Sequence, residues 1–353
     1  MLRCASQALS FNPVLSDQGV FYNEDGSVTF RLHLPRTVNH AAIRLMDGPV
    51  FALASDGSGL FSCTCRPPAG FNYADVEIDG EVVLSPYLPI GFGASRPINY
   101  IDVPGSGDDF YQPCAGPHGA VVQHYYHSGV ADAMQSCLVY LPPEYDPETA
   151  YPVLSLQHGL GENETGWVHQ GRANFILDNL IADGRAVPML VVMCTGMVNI
   201  GGEHNLSIFP EVLVRDVIPF IERTYRVKEG KWNRAMAGLS MGSMHTSMTT
   251  LTHPELFGYA GLFSGFMRFI WQEEQPHLAA LDNPEKFASD YRVFFRAMGL
   301  EDPFFTHFDS DDKLIEEKGV GAAITRRLYP GGHGWQVWRQ SLRDFLPMLF
   351  RED

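Results

Sequence analysis

Ser240 stands in Gly238-Leu239-Ser240-Met241-Gly242, behind the apolar run Ala235-Met236-Ala237 and ahead of a helical pattern at Met244, Ser247, Met248 and Leu251. A serine between two glycines, where a strand turns sharply into a helix, is the arrangement of a nucleophile elbow. The glycines remove the Cβ atoms that so tight a turn would crowd. The hydroxyl then projects at a helix N-terminus, where free N–H groups favour negative charge. In a chain with 34 glycines the pentapeptide alone carries little. Its weight comes from the partners that follow it.

A serine hydroxyl is a poor nucleophile at neutral pH and needs a base to take its proton. With an elbow the acid and then the histidine follow the serine in the chain. The candidates are His245, His253, His277, His307 and His333. His245 falls on the elbow helix, pointing away, and reads as a packing or surface residue. His253 precedes Pro254 and reads as a helix cap. His277 and His307 lie in acidic stretches and read as exposed. His333 sits in Tyr329-Pro330-Gly331-Gly332-His333-Gly334-Trp335, between a strand pattern (322–328) and a C-terminal helix pattern at Val337, Leu342, Phe345, Leu346 and Leu349. That loop can bring the imidazole over Ser240.

The acid belongs after the strand Arg292–Met298, in Gly299-Leu300-Glu301-Asp302-Pro303. A carboxylate there fixes the imidazole tautomer and stabilises the imidazolium. Asp302 is the choice and Glu301 the alternative. Asp309, Asp311 and Asp312 read instead as the solvated first turn of a helix. The oxyanion donors expected are the Met241 N–H and the Leu160 N–H, the latter in His158-Gly159-Leu160-Gly161 after the strand Val153–Gln157. His158 reads as a brace for that loop.

These residues together resemble the esterase family that contains enterochelin esterases, feruloyl and acetyl-xylan esterases, esterase D and the mycolyltransferases. The likeness includes Val139-Tyr140-Leu141-Pro142-Pro143 with Tyr145, Tyr151-Pro152-Val153-Leu154, and His158 to Glu164 with Trp167. It continues through Asp216 to Glu222 with Tyr225-Arg226, Arg234 to Gly242, and the His333 segment with Trp335, Trp338 and Arg339. Roughly residues 119–350 are covered. Ser243 stands where many relatives have glycine, and Gly334 where an acidic residue often follows the histidine. The resemblance implies an α/β-hydrolase with a mostly parallel central sheet, and a metal-independent, cofactor-free serine carboxylester hydrolase. Its substrate would be a carbohydrate-linked feruloyl or acetyl ester. A siderophore trilactone esterase, with Arg172, Arg296 and Arg339 as candidate anion contacts, and an acyltransferase are the alternatives. Phe266 and Trp271, in the long segment between two late strands, are expected to line an acyl or aryl site; core packing is an equal account of both.

The chain has 353 residues, 45% hydrophobic and 19% charged, which suits two globular domains. Residues 1–104 carry short alternating runs (Ser27–Leu34, Ala41–Leu45, Asn72–Ile78) parted by Asp25-Gly26, Asp56-Gly57 and Asp79-Gly80. Such spacing predicts a β-sandwich. The segment also resembles, more loosely, the early-set immunoglobulin-like modules ahead of some esterases. Its expected roles are glycan binding, with Tyr22 or Phe51 as a platform, shaping of the site, or homodimerisation. Residues 105–118 read as a linker. Residues 119–353 alternate strand and helix patterns, as an α/β domain does.

The net charge of −16 disfavours nucleic acid and anionic membrane surfaces as partners. The expected partner is a small-molecule or oligosaccharide ester. No stretch approaches the roughly 20 apolar residues of a membrane span, and residues 1–20 lack a signal-peptide core, so a cytoplasmic location is expected. The six cysteines, Cys4, Cys63, Cys65, Cys114, Cys137 and Cys194, form no zinc pattern and are expected to be reduced.

Overall fold

The computed structural model describes residues 17–351 apart from Asp47 and Ser106. Cys4 lies outside the described residues. The chain divides into two units, one ending at Pro113 and the other beginning at Cys114.

The first unit is built, among the described residues, from strands β1 (Gly19–Tyr22), β2 (Val28–His33), β3 (Ala41–Leu45), β4 (Val50–Ser55), β5 (Leu60–Cys65), β6 (Gly70–Ile78), β7 (Glu81–Val83), β8 (Ile90–Gly93) and β9 (Arg96–Val103). Every pairing is antiparallel, in the order β1-β2-β5-β4-β3-β6-β9-β8, with β7 on β6. β4 pairs with β3 along residues 50–53 and with β5 along residues 54–55, so it passes between the two halves of the sheet. Alternate residues of both halves form one core, with Phe30, Leu32 and Phe61 joining Ile43, Val76 and Ile101. Asp79 and Gly80, both at positive φ, make the two-residue β6–β7 turn that the Asp-Gly pair predicts. Tyr22 belongs to this core, and its hydroxyl accepts the Asp102 N–H at 3.2 Å. It cannot serve as an exposed sugar platform.

The second unit carries an eight-stranded sheet in the order β10-β11-β13-β12-β16-β17-β18-β19. Its strands are β10 (Ala120–Ser128), β11 (Ala133–Leu141), β12 (Val153–Gln157), β13 (Leu190–Cys194), β16 (Arg234–Leu239), β17 (Tyr259–Phe263), β18 (Val293–Gly299) and β19 (Ile324–Tyr329). A short exposed hairpin, β14 (Asn199–Ile200) with β15 (Glu203–His204), stands apart. Within the eight-stranded sheet β10, β11 and β13 pair antiparallel, and the other pairs are parallel. Residues of β12, β13, β17 and β18 are buried throughout, as strands covered on both faces must be. On one face Val139, Val192 and Met236 pack with Phe209, Leu213 and Ile221. Ala260, Leu262 and Phe294, in register with Met236 and so on the same face, pack with Leu251 and Phe287, while on the opposite face Phe263 and Phe295 each meet the ring of Phe345 at 5.7 Å.

A helical stretch begins at Phe209 and contains a π-helical turn at Leu213–Val217. Asp216 in that turn accepts from the Ser128 hydroxyl at 2.6 Å and the Val130 N–H at 3.1 Å, tying it to the β10–β11 hairpin. His118 and Gly119 both bond Asp178, at 2.8 and 3.0 Å, which anchors the start of this unit. Cys137 and Cys194 face each other across β11 and β13 as buried free thiols. No described helix is long and apolar enough to cross a membrane.

Candidate active site

β16 ends beneath the elbow, and Ser240 takes φ +51°, ψ −117° before the helix Met241–Thr252. A non-glycine residue there is strained by about 1–3 kcal/mol and persists only if its surroundings hold it. They do. The Ser240 N–H donates to the Phe263 carbonyl at 2.9 Å, and its own carbonyl accepts the Ser243 N–H at 2.9 Å and the Ser243 hydroxyl at 2.6 Å. Close approach explains the motif's glycines. A Cβ on Gly238 would lie 2.4 Å from the Gly242 carbonyl oxygen, and one on Gly242 would lie 2.6 Å from the oxygens of Gln157 and His158.

The loop after β19 brings His333 to this point. Its Nε2 lies 2.9 Å from Ser240 Oγ, and its Nδ1 lies 2.8 Å from Asp302 Oδ2. The carboxylate only accepts, so Nδ1 carries the proton and Nε2 is left to accept from the serine hydroxyl. Asp302 is buried, and its other oxygen accepts the Phe304 N–H at 2.9 Å. Glu301, the alternative acid, instead accepts the Gly331 N–H, while its own N–H donates to the Gly331 carbonyl at 3.1 Å. One carboxylate of the pair orients the imidazole, and the other clamps the loop that bears it. The imidazole makes edge contacts with Phe304 and Trp338, with ring centres 5.0 and 5.3 Å away.

Met241 is the first residue of its helix, so its N–H has no partner one turn back. Leu160 lies in the turn after β12, beside the elbow. His158 braces that turn. Its Nδ1–H donates to the Gly159 carbonyl at 2.7 Å, and its Nε2 accepts the Gly196 N–H at 2.8 Å. Burial pushes its pKa down to about 4, against a smaller opposing effect of the Gly159 bond, so the ring is neutral as both contacts require. Glu162 takes the Gly159 N–H, and Trp167 donates to the Gln157 carbonyl at 2.9 Å.

Phe266 is only 2% exposed and packs with Met241, Met244, Met298 and Phe308. Trp271 is 46% exposed, and its ring rests on Phe269 at 5.2 Å. Phe304 went unnoticed in the sequence, because nothing in Asp302-Pro303-Phe304 says that the ring returns to the histidine.

Several other expectations fail on burial. His277 is buried, with Nε2 2.8 Å from the Met267 carbonyl oxygen; His307, by contrast, is exposed as expected, on the helix Phe305–Glu317. Asp311 and Asp312 are not a solvated first turn. Asp311 is buried mid-helix and accepts the Met267 N–H at 2.7 Å and Arg268 at 2.8 Å, while Asp312 accepts Arg296 at 2.6 Å. Arg172, Arg296 and Arg339 are all buried and cannot meet an anion at the mouth of the site. Among the described residues no three His, Cys, Asp or Glu side chains gather as a metal site.

Known proteins place the chain in a family. The chain is 40% identical over 345 residues, 93% of its length, to an endo-1,4-beta-xylanase/feruloyl esterase of Xylanibacter ruminicola. It is 30% identical over 270 residues, 69% of its length, to endo-1,4-beta-xylanase Y of Acetivibrio thermocellus. It spans 45% and 24% of those two proteins' own lengths. Among solved structures it is similar to a feruloyl esterase module from Clostridium thermocellum complexed with sinapinate (25% identity, TM-score 0.58, covering 70% of this chain and 94% of that one). At the level of fold alone it is similar to the enterobactin esterase of Shigella flexneri (14% identity, TM-score 0.67, covering 91% and 92%). The Esterase family model matches residues 131–349. The chain therefore belongs to the Esterase family, carboxylic ester hydrolases of the α/β-hydrolase type.

Proposed function

We propose that the chain is a serine esterase that cleaves feruloyl or acetyl esters attached to carbohydrate, with Ser240, His333 and Asp302 as its catalytic triad. The observation that carries this reading is the continuous hydrogen-bond chain from Ser240 Oγ through His333 to the buried Asp302 carboxylate. The names borne by the xylanase/feruloyl esterase relative and by the feruloyl esterase module support the substrate class.

In the proposed reaction Ser240 Oγ bonds to the ester carbonyl carbon while His333 Nε2 takes its proton. The N–H groups of Leu160 and Met241 hold the oxyanion of the tetrahedral intermediate. Collapse breaks the bond to the alcohol oxygen, which leaves with the proton from His333. Water then attacks the acyl-serine, giving its proton to the same nitrogen, and Ser240 leaves reprotonated with release of the acid. Asp302 stays ionised throughout and stabilises the imidazolium. Ser240→Ala is expected to lower kcat on methyl ferulate by about 10⁶-fold. Retention of a tenth of wild-type activity would refute the assignment.

We read the first unit as an immunoglobulin-like module of the early-set kind, supported by its antiparallel halves and the crossing strand β4. A trilactone siderophore is the second reading, favoured by the enterobactin esterase likeness over 91% of the chain. The burial of Arg172, Arg296 and Arg339 weighs against it. Parallel assays with methyl ferulate and enterobactin separate the two.

A further inference from the structure

Phe304 and His307 stand side by side on the buried ring of Phe266. Ring centres are 5.7 Å from Phe266 to Phe304, 5.1 Å from Phe266 to His307, and 6.4 Å from Phe304 to His307. Phe266 is the hidden corner of this triangle. The other two corners are open to solvent, Phe304 at 37% exposure. Phe304 also lies 5.0 Å from the ring of His333, so the row runs His333, Phe304, His307 outward from the catalytic base. An exposed phenyl ring is costly to leave in water and offers a flat face to another aromatic ring. An exposed imidazole at the outer end offers a nitrogen to a hydroxyl.

We propose that Phe304 and His307 form a shelf for the acyl group, Phe304 stacking on the ring of a hydroxycinnamoyl ester and His307 hydrogen-bonding its para-hydroxyl. This rests on the serine-esterase reading above and narrows the substrate to phenolic acyl groups. The row has the shape the acyl group requires. The acyl carbon must sit by Ser240 and His333, the rigid propenoyl arm then carries the aryl ring away from them, and the phenol oxygen is the most distant atom. The span from His333 to His307 cannot exceed the two ring spacings that join them through Phe304. Both shelf residues are tied to the acid turn: the Phe304 N–H donates to Asp302 at 2.9 Å, and the His307 N–H donates to the Phe304 carbonyl at 2.9 Å. The catalytic acid and the acyl shelf are thus set by the same turn.

The test compares methyl p-coumarate, methyl 4-methoxycinnamate and p-nitrophenyl acetate in the full-length protein. The readout is a ratio of kcat/KM values within each variant, which cancels any loss of folded enzyme. His307→Ala should lower the hydroxy-to-methoxy ratio by about five- to tenfold, mostly through KM, as loss of one neutral hydrogen bond implies. His307→Gln should restore part of it. Phe304→Leu should lower the coumarate-to-acetate ratio by about tenfold. A hydroxy-to-methoxy ratio within twofold of wild type in His307→Ala overturns the hydrogen bond, and an unchanged coumarate-to-acetate ratio in Phe304→Leu overturns the shelf. If wild type cleaves all three esters and Ser240→Ala none, either failure falls on this inference alone. A wild type that cleaves the acetate but neither cinnamate overturns the inference and the feruloyl reading together, while Ser240 keeps its role.

Discussion

Ser243 and Gly265 share one space: a Cβ on Gly265 would lie 1.7 Å from Ser243 Oγ. The hydroxyl that fills this gap donates to the Ser240 carbonyl at 2.6 Å and accepts the Phe266 N–H at 3.1 Å. It therefore joins the elbow to the loop after β17. Gly265→Ala is expected to destabilise the protein by about 2–3 kcal/mol or more through overpacking. Ser243→Gly, which by itself forfeits both hydrogen bonds and costs about 2–3 kcal/mol, removes the clash, so the double variant should be more stable than the sum of the two losses predicts. Urea unfolding of both single variants and the double variant measures the coupling, and simple additivity would disprove the shared space.

The two adjacent carboxylates of the acid loop should separate cleanly in kinetics. Asp302→Asn leaves a side chain that can present an N–H to Nδ1 and so favours the wrong tautomer; a fall of about 10⁴-fold in kcat is expected. Glu301→Gln loosens only the hold on Gly331 and should cost less than about tenfold. Equal losses would mean that the division of labour between them is wrong.

Stability should fall as pH drops through the range of two buried histidines. Burial pushes both His158 and His245 down to about 4, against about 6.5 in the unfolded chain. Between those values the unfolded chain binds protons that the folded protein does not. Both groups thus favour folding fully above about pH 6.5, and this is lost as pH falls towards 4, on the order of 3 kcal/mol for each. Urea unfolding at pH 7, 6, 5 and 4.5 tests this. His245→Asn should reduce the slope by about 1.4 kcal/mol per pH unit, and an unchanged slope would count against a neutral His245.

Asp311 sits between two arginines, with Arg268 at 2.8 Å and Arg296 at 3.8 Å. Asp311→Ala leaves Arg268 and the Met267 N–H without their buried acceptor and Arg296 with Asp312 alone, and should cost about 3–5 kcal/mol. Glu148→Ala, which breaks the exposed pair with Arg226 at 3.4 Å, should cost less than about 1 kcal/mol. Thermal unfolding of the two variants decides whether burial sets the difference.

These contrasts explain what could be read in the sequence. The convergence of Ser240, Asp302 and His333 was legible because each follows its own strand, and the sheet aligns those strand ends. The Asp-Gly turns of the first unit were legible because their chemistry is local. Asp311 and Asp312 were misread because an acid early in a helix looks the same whether it meets water or an arginine. Arg296 supplies that partner from β18, and no spacing in the chain announces it. Arg172 and Arg339 failed likewise, since a long cationic side chain is normally at the surface. Phe304 and Ser243 were missed as contacts because each meets a segment from a different part of the fold.

The packing of His333 against Phe304 and Trp338 has a kinetic corollary. As the proposed base, His333 is held by two ring contacts and by its bond to Asp302, so no swinging arm must search for the serine before each turnover. Chemistry at such a centre is then insensitive to solvent viscosity, and only the delivery of ester to it slows as the medium thickens.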